Sequence, residues 1–193
     1  MINKAFVDHF QGVTQHYLSH RPSYPAALFD WLAQRCSQHE LAWDCGTGNG
    51  QAAVSLAQHF QRVLATDASA AQIAAATAHG RVEYRLAPAE NSGLEPASVD
   101  LLIVAQALHW FDLERFYAEA RRVLKPTGIV AVWCYGIVEL EGDAANQLLQ
   151  HFYHQVVGPY WPAEREHVET GYRQLPFPFT PIEAPAFTLQ VTW

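Results

Sequence analysis

Residues 41–50 read Leu-Ala-Trp-Asp-Cys-Gly-Thr-Gly-Asn-Gly. A short apolar run passes through one acid into three glycines at alternate positions, Gly46, Gly48 and Gly50. A strand that enters a glycine-rich turn lets backbone N–H groups and the start of the next helix approach a ligand closely, because no Cβ stands in the way. The stretch therefore predicts a nucleotide-type binding loop at the end of a first strand.

The spacing of the glycines distinguishes between kinds of nucleotide loop. A dinucleotide fingerprint that starts at Gly46 needs a glycine at position 51, where the chain has Gln51. A P-loop needs Lys-Ser or Lys-Thr after the glycines, and neither pair follows. Asp44 beside the loop would repel phosphate and suits a cationic ligand, such as one that carries an amino group and a sulfonium. An NAD(P)-dependent oxidoreductase on the same fold is therefore a disfavoured alternative.

Four further strand-like segments follow the loop and alternate with helical stretches. The pattern predicts a parallel sheet with right-handed crossovers and helices on both faces, which is a doubly wound α/β fold. Asp67, at the end of the second segment, lies 17 residues past Gly50, within the range that a β-α-β unit sets for a ribose-binding carboxylate. The segments are Arg62–Asp67, Val82–Leu86, the strand and loop of Val99–Asp112, and Ile129–Trp133 after the turn Leu124–Gly128.

With these landmarks the chain resembles the Class I S-adenosylmethionine (SAM)-dependent methyltransferases, in which an acid and G-x-G-x-G follow the first strand. The resemblance implies a Rossmann-like, mainly parallel sheet with antiparallel strands at the C-terminus. It also implies SAM as methyl donor and S-adenosylhomocysteine as product. Gln106–Phe111, Tyr17 and Arg21–Pro25 are similar to the small-molecule branch of type 11 methyltransferases, which includes trans-aconitate methyltransferases and UbiE-like enzymes.

The resemblance also implies a set of cofactor-binding residues. Asp44 and the glycine loop would lie against the amino-acid end of SAM, and Asp67 would accept both ribose hydroxyls. Two alternatives stay open: Asp67 as an acidic cap of the following helix, and Asp44 as a structural partner for loop amides. The full set is Asp44, Gly46, Thr47, Gly48, Gly50, Asp67, Ala68, Ala89, Glu90 and Gln106, with Ala89 and Glu90 bordering the adenine.

The methyl acceptor is expected on the other side of the site. His109 follows the fourth strand, where its imidazole could act as general base, donate a hydrogen bond to an anionic acceptor, or serve only as part of a polar lid. Trp110 beside it is expected to form an apolar wall, and Tyr17, Arg21 and Tyr24 are expected to close over the site. Arg21 could pair with a substrate carboxylate or stack on an aromatic ring.

The function implied is methyl transfer from SAM to a small molecule, such as a carboxylate or another polar metabolite. The alternative from another class is a non-catalytic module that binds SAM or a nucleoside.

Composition narrows the class of protein. The 193 residues, half of them hydrophobic, fit one domain over 1–193, with 1–40 as an N-terminal helical cap. A net charge of −7 gives no overall positive charge for binding a nucleic-acid backbone. Three unpaired cysteines, no signal peptide and no apolar span predict a cytoplasmic protein without membrane insertion. His151 and His154 lack further ligands at metal spacing, so no metal site is expected.

The remaining segments complete the expected architecture. Phe187–Trp193 alternates apolar and polar residues and predicts a strand. Because the resembling family's sheet ends in a hairpin of two strands and only this one candidate is found, we expect a domain truncated at its C-terminus. Helices are predicted over Pro25–Ser37, Ala68–His79, Asp112–Leu124 and Asp143–Val157, and an ordered loop over Gly158–Pro185.

Overall fold

The structure, a computed structural model, describes residues 23–190. A single five-stranded sheet has the order β3-β2-β1-β4-β5, and each neighbouring pair is parallel. This confirms the predicted doubly wound α/β fold. The strands are β1 (Leu41–Cys45), β2 (Arg62–Asp67), β3 (Val82–Leu86), β4 (Val99–Ala105) and β5 (Leu124–Trp133).

Six α-helices lie within the described residues. The clearest prediction, Asp112–Leu124, corresponds to a helix over Leu113–Val123, with Asp112 at the N-cap accepting a hydrogen bond from the Arg115 amide at 3.3 Å. The helices are α1 (Ala26–Ala33), α2 (Gln51–Leu56), α3 (Ala70–Ala74), α4 (Leu113–Val123), α5 (Asp143–His151) and α6 (Arg165–Glu169). Leu108–Trp110 and Gly158–Tyr160 form 3₁₀ turns, and Phe152–Val157 forms a π-helix directly after α5.

The core lies on both faces of the sheet. Successive side chains of a strand point to opposite faces, and in β4 Leu101 and Ile103 join one apolar cluster while Leu102 and Val104 join the other. The first cluster includes residues of α1 and α2, and the second includes residues of α4. Strand order reverses between β1 and β4, so the loops after these two strands meet at the carboxyl edge of the sheet.

The helix predicted over Ala68–His79 is wrong in length. It is restricted to Ala70–Ala74, with Ser69 as N-cap. The following residues hydrogen-bond to other elements: the Thr77 amide donates to the Asn49 carbonyl at 3.0 Å, and the Tyr84 hydroxyl donates to the Thr77 carbonyl at 2.6 Å. These bonds hold the chain against the glycine loop and prevent another helical turn.

The ends of two other elements also differ from prediction. The helix predicted over Pro25–Ser37 begins after Pro25 but ends at Ala33, because the Arg35 and Cys36 amides donate to carbonyls three residues back in tighter turns. The fifth strand begins at Leu124 rather than Ile129, since Leu124 pairs with Val99 before an irregularity in the register.

The C-terminal part departs most from the sequence-based expectation. The helix predicted over Asp143–Val157 is α-helical only to His151, and the predicted loop Gly158–Pro185 contains α6. The strand predicted over Phe187–Trp193 is absent from residues 187–190, while 191–193 lie outside the described range. The Phe187 ring packs against Trp31 of α1, at 6.0 Å between centroids, so it covers a helix instead of joining a sheet.

No helix among residues 23–190 is both long and apolar enough to cross a bilayer. Whether 1–193 forms one domain with a cap over 1–40 and a truncated C-terminus stays a prediction.

Candidate active site

The glycine loop after β1 requires its glycines. Gly46, Gly48 and Gly50 all have positive φ, at 74°, 57° and 86°. A Cβ at Gly46 would lie 2.6 Å from the Ala107 Cβ, and one at Gly50 would overlap the Tyr84 hydroxyl. Backbone conformation and close packing therefore both exclude other residues at these two positions. The loop is tied to β2 through the Gly46 and Thr47 amides, which donate to the Thr66 carbonyl, each at 2.9 Å.

Asp44 is a fully buried carboxylate at the start of this loop. Its Oδ2 accepts a hydrogen bond from the Thr47 hydroxyl at 2.5 Å, whereas Oδ1 has no partner of ordinary hydrogen-bond geometry among the described residues. Burial raises the pKa of Asp44 to about 7, with the charge of Asp67 adding to the rise and Thr47 and the Ala53 amide opposing it. A buried carboxylate oxygen without a partner costs free energy, and a cationic ligand would offset that cost.

Asp67, at the end of β2, is hydrogen-bonded to the glycine loop after β1 and to the residues that follow β2. Its Oδ2 accepts from the Gly48 amide at 2.9 Å, and its Oδ1 accepts from the Ser69 amide at 2.8 Å. The N-cap of α3 is Ser69, whose hydroxyl accepts from the Gln72 amide, so Asp67 is not itself that cap. Each carboxylate oxygen can accept two hydrogen bonds.

The other predicted cofactor residues lie after the carboxyl ends of β2, β3 and β4. Ala68 is half-buried beside Asp67, and Ala89 is buried in the cluster that contains Trp43. Glu90 Oε1 accepts from the Asp112 amide at 2.9 Å, so this carboxylate also fixes the start of α4. Gln106 has a positive φ of 59°, and its Nε2 donates to the Tyr135 carbonyl at 2.9 Å.

His109 lies in the 3₁₀ turn after β4, with its Nδ1 2.8 Å from the Tyr172 hydroxyl. Burial lowers the pKa of His109 to about 4, with smaller effects from the charges of Arg165 and His167 in the same direction and of Glu164 in the opposite one. The imidazole is therefore neutral at physiological pH. Trp110 is half-buried, and its ring lies 4.6 Å from that of His109.

Tyr172 is the residue at this site that the sequence did not indicate. It lies 63 positions after His109 in a segment expected to be an ordered loop, and no periodicity or motif there links it to the fourth strand. Only the packing of α6 against the Leu108–Trp110 turn brings it to the imidazole.

Tyr24, predicted to close over the site, packs edge-on against Trp133 at the end of β5, with 5.4 Å between ring centroids. Tyr17 and Arg21 lie outside the described residues. The structure thus brings Tyr24, Trp110 and His109 to the carboxyl edge of the sheet, because Trp133 and the Leu108–Trp110 turn lie at that edge.

Other candidate sites are less convincing. Cys45 is buried, and burial raises its thiol pKa well above the ordinary value, which fits a packing role rather than a nucleophile. Among the described residues, no three His, Cys, Asp or Glu side chains group as metal ligands. An open depression of about 300 Å³ includes His39 and His59 in its lining. These residues precede β1 and β2, so the depression lies at the amino edge of the sheet, opposite the glycine loop.

Comparison with known proteins identifies the family. The family described as "Methyltransferase domain" matches residues 43–132. A solved structure of a candidate type II methyltransferase from Anaeromyxobacter dehalogenans is 50% identical, with a TM-score of 0.80 over 86% of this chain and 70% of that one. The chain belongs to the Class I SAM-dependent methyltransferases.

Two curated relatives are also described as methyltransferases. The methyltransferase is 37% identical over 170 residues to a candidate methyltransferase of Dictyostelium discoideum, covering 86% of this chain and 65% of the relative. It is 33% identical over 130 residues to a candidate SAM-dependent methyltransferase of Saccharomyces cerevisiae, covering 62% and 44%. The chain therefore spans less than two thirds of the length of these relatives, and the narrower trans-aconitate or UbiE-like branch stays a prediction.

Proposed function

We propose that this methyltransferase transfers the methyl group of SAM to a small-molecule acceptor held beside His109. The observation that carries the proposal is Asp44, a fully buried carboxylate at the start of the glycine loop, with one oxygen that has no hydrogen-bond partner among the described residues. Phosphate would be repelled there, and the cationic amino group of SAM would complete the site.

On this proposal, different residues bind different parts of the cofactor. Asp44, Thr47 and the amides of Gly46–Gly50 hold the amino-acid end. Asp67, kept in place by the Gly48 and Ser69 amides, accepts the ribose hydroxyls together with the backbone beside Ala68. Ala89 and Glu90 border the adenine. Gln106, directly after β4, borders the cofactor site between the carboxyl ends of β4 and β5. When bound, SAM supplies a methyl group activated by a sulfonium sulfur.

Methyl transfer of this kind is an in-line displacement, so the protein mainly has to hold donor and acceptor at reactive distance and exclude water. Trp110 and Tyr24 would form apolar walls at the acceptor side, and His109 would contact the acceptor directly. Tyr17 and Arg21 are proposed to complete this side, with Arg21 pairing with an acidic acceptor. The acceptor class we favour is a carboxylate or another polar metabolite.

Cofactor binding is the first test. Calorimetry is expected to detect SAM and S-adenosylhomocysteine but not NAD. Asp67→Ala removes a charged acceptor from the ribose hydroxyls and should weaken binding by about 1.5–3 kcal/mol, the range for hydrogen bonds to charged groups. Asp143→Ala, at an exposed acid in the first turn of α5, is the matched control and should bind normally. Unchanged affinity in the Asp67 variant would remove this residue from the site.

Turnover separates an enzyme from a binding module. S-adenosylhomocysteine formation is measured with a panel of small carboxylic acids, phenols and amines. Product with a carboxylic acid supports the proposal as stated, and product with a phenol or an amine corrects the acceptor class. Tight SAM binding with no turnover on any class would favour the non-catalytic alternative.

A further inference from the structure

Tyr172 reaches His109 through an unusual backbone conformation. It follows α6, and both Gly171 and Tyr172 have φ near +61°, a region that residues other than glycine, asparagine or aspartate rarely adopt. The Tyr172 amide donates to the His167 carbonyl at 2.8 Å, which fixes the turn. A strained residue persists only where its surroundings hold it, so the position of this side chain is specified by the fold.

The hydrogen bond between the two side chains has a direction. The Tyr172 phenol carries one hydroxyl proton. This proton has one acceptor within hydrogen-bond distance among the described residues, the His109 Nδ1 at 2.8 Å. The phenol O–H therefore donates, and Nδ1 accepts. A neutral imidazole carries one proton, so that proton must lie on Nε2.

The charged neighbours favour the same protonation state. Burial raises the Tyr172 pKa well above its ordinary value, so the phenol keeps its proton. Burial is the largest influence that lowers the pKa of His109; Arg165 and His167, both in α6, lower it further, and Glu164 raises it. At neutral pH the pair is an uncharged phenol beside an uncharged imidazole.

We propose that Tyr172 is a positioning residue that holds His109 as the Nε2–H tautomer, so that the imidazole offers the acceptor a hydrogen-bond donor and not a base. What this tautomer implies for the methyl acceptor rests on the proposed function. Without a base, the acceptor oxygen must already be an anion at neutral pH, as a carboxylate is. The S–CH₃ bond then breaks with its electron pair left on sulfur, the O–CH₃ bond forms, and the carboxylate and sulfonium charges cancel with no proton to remove.

Nuclear magnetic resonance tests the tautomer directly, without ligand. Protein labelled with ¹⁵N in its histidines is observed through long-range ¹H–¹⁵N correlations, and the His109 ring is assigned as the signal missing in His109→Gln. In the unsubstituted protein we expect the Nε2–H pattern from pH 8 down to below pH 6. In Tyr172→Phe this pattern should be replaced by a mixture of the two tautomers.

The matched control is Tyr117→Phe. Its hydroxyl donates to the Pro176 carbonyl at 2.8 Å, so this variant also loses a buried tyrosine hydrogen bond near the C-terminal segment, without touching His109. It should retain the Nε2–H pattern. An Nδ1–H pattern in the unsubstituted protein would overturn the inference, and so would an unchanged pattern in Tyr172→Phe. Because no SAM is present, these outcomes are independent of whether the cofactor binds.

Discussion

The two loops that meet at the carboxyl edge of the sheet are held in place in different ways. The glycine loop after β1 is held by residues close to it in the chain, since Thr66, Asp67 and Tyr84 all belong to the next two strands. The Leu108–Trp110 turn after β4 is held by Tyr172 and by α6. The hydrogen bonds of the glycine loop are thus made to the next strand, whereas the hydrogen bond of the turn spans 63 residues.

This difference predicts that substitutions in the two loops have effects of different size. Gly46 and Gly50 are fixed by both φ and packing, so a change there disturbs the core beneath the loop. His109 and Tyr172 contact each other through one hydrogen bond, whose loss should alter chemistry more than stability.

The largest effect is expected from Gly50→Ala. A Cβ there overlaps the Tyr84 hydroxyl, and φ is 86°. The left-handed conformation and the overpacking together should lower the free energy of unfolding by about 2–4 kcal/mol and abolish measurable SAM binding. Chemical denaturation and calorimetry measure the two effects. Gly80→Ala, where a Cβ meets no atom within 4 Å, is the control and should be nearly neutral. Normal stability in Gly50→Ala would show that the loop can relax.

Asp44→Asn should have opposite effects on stability and on binding. The folded pKa of about 7 lies above the ordinary 3.8, so the stability gained from the protonated carboxyl is lost as pH rises through 7. Asparagine avoids that loss. Its advantage in free energy of unfolding is absent near pH 4, grows between pH 4 and 7, and reaches about 4 kcal/mol above pH 7. SAM affinity should fall, because the carboxylate that faces the cationic cofactor is gone.

The control for this experiment is Asp100→Asn. Asp100 is also buried, but it pairs with Lys125 at 2.8 Å and accepts the Glu40 and Leu41 amides, and its pKa is lowered. The same substitution there should destabilise the protein at pH 8. If Asp44→Asn destabilises it as well, Asp44 is a structural partner of the loop and not a cofactor residue.

The same difference between local and long-range contacts explains which features the sequence could predict. Asp44, the three glycines and Asp67 follow a fixed spacing within one β-α-β-type unit, and the structure places them at and after the carboxyl ends of β1 and β2. The predicted length of α3 was wrong because the Thr77 amide donates a hydrogen bond to the Asn49 carbonyl. Helix propensity does not describe such a contact between elements. Tyr172 was missed because the position of α6 depends on tertiary packing. Phe187 alternates like a strand residue, yet its ring packs on Trp31.

The smallest effect is expected at His109, and its size separates a base from a donor. Removing a general base costs about 10²–10⁴-fold in rate. Removing one neutral hydrogen-bond donor costs about three- to tenfold, corresponding to about 0.5–1.5 kcal/mol. We therefore expect His109→Ala to lower kcat/KM by about three- to tenfold for the carboxylic acid found in the turnover panel.

His109→Gln should recover most of that loss, because its amide nitrogen can donate in place of Nε2–H while it cannot act as a base. The pH profile between 6 and 8 should be unchanged in both variants. His39→Gln, at a histidine whose Nε2 lies 2.9 Å from the Ala33 carbonyl at the opposite edge of the sheet, is the control for a histidine lost outside the site. A loss of a hundredfold or more in both His109 variants, with an altered pH profile, would mean that the imidazole takes a proton, and Tyr172 would then have to accept from Nδ1–H.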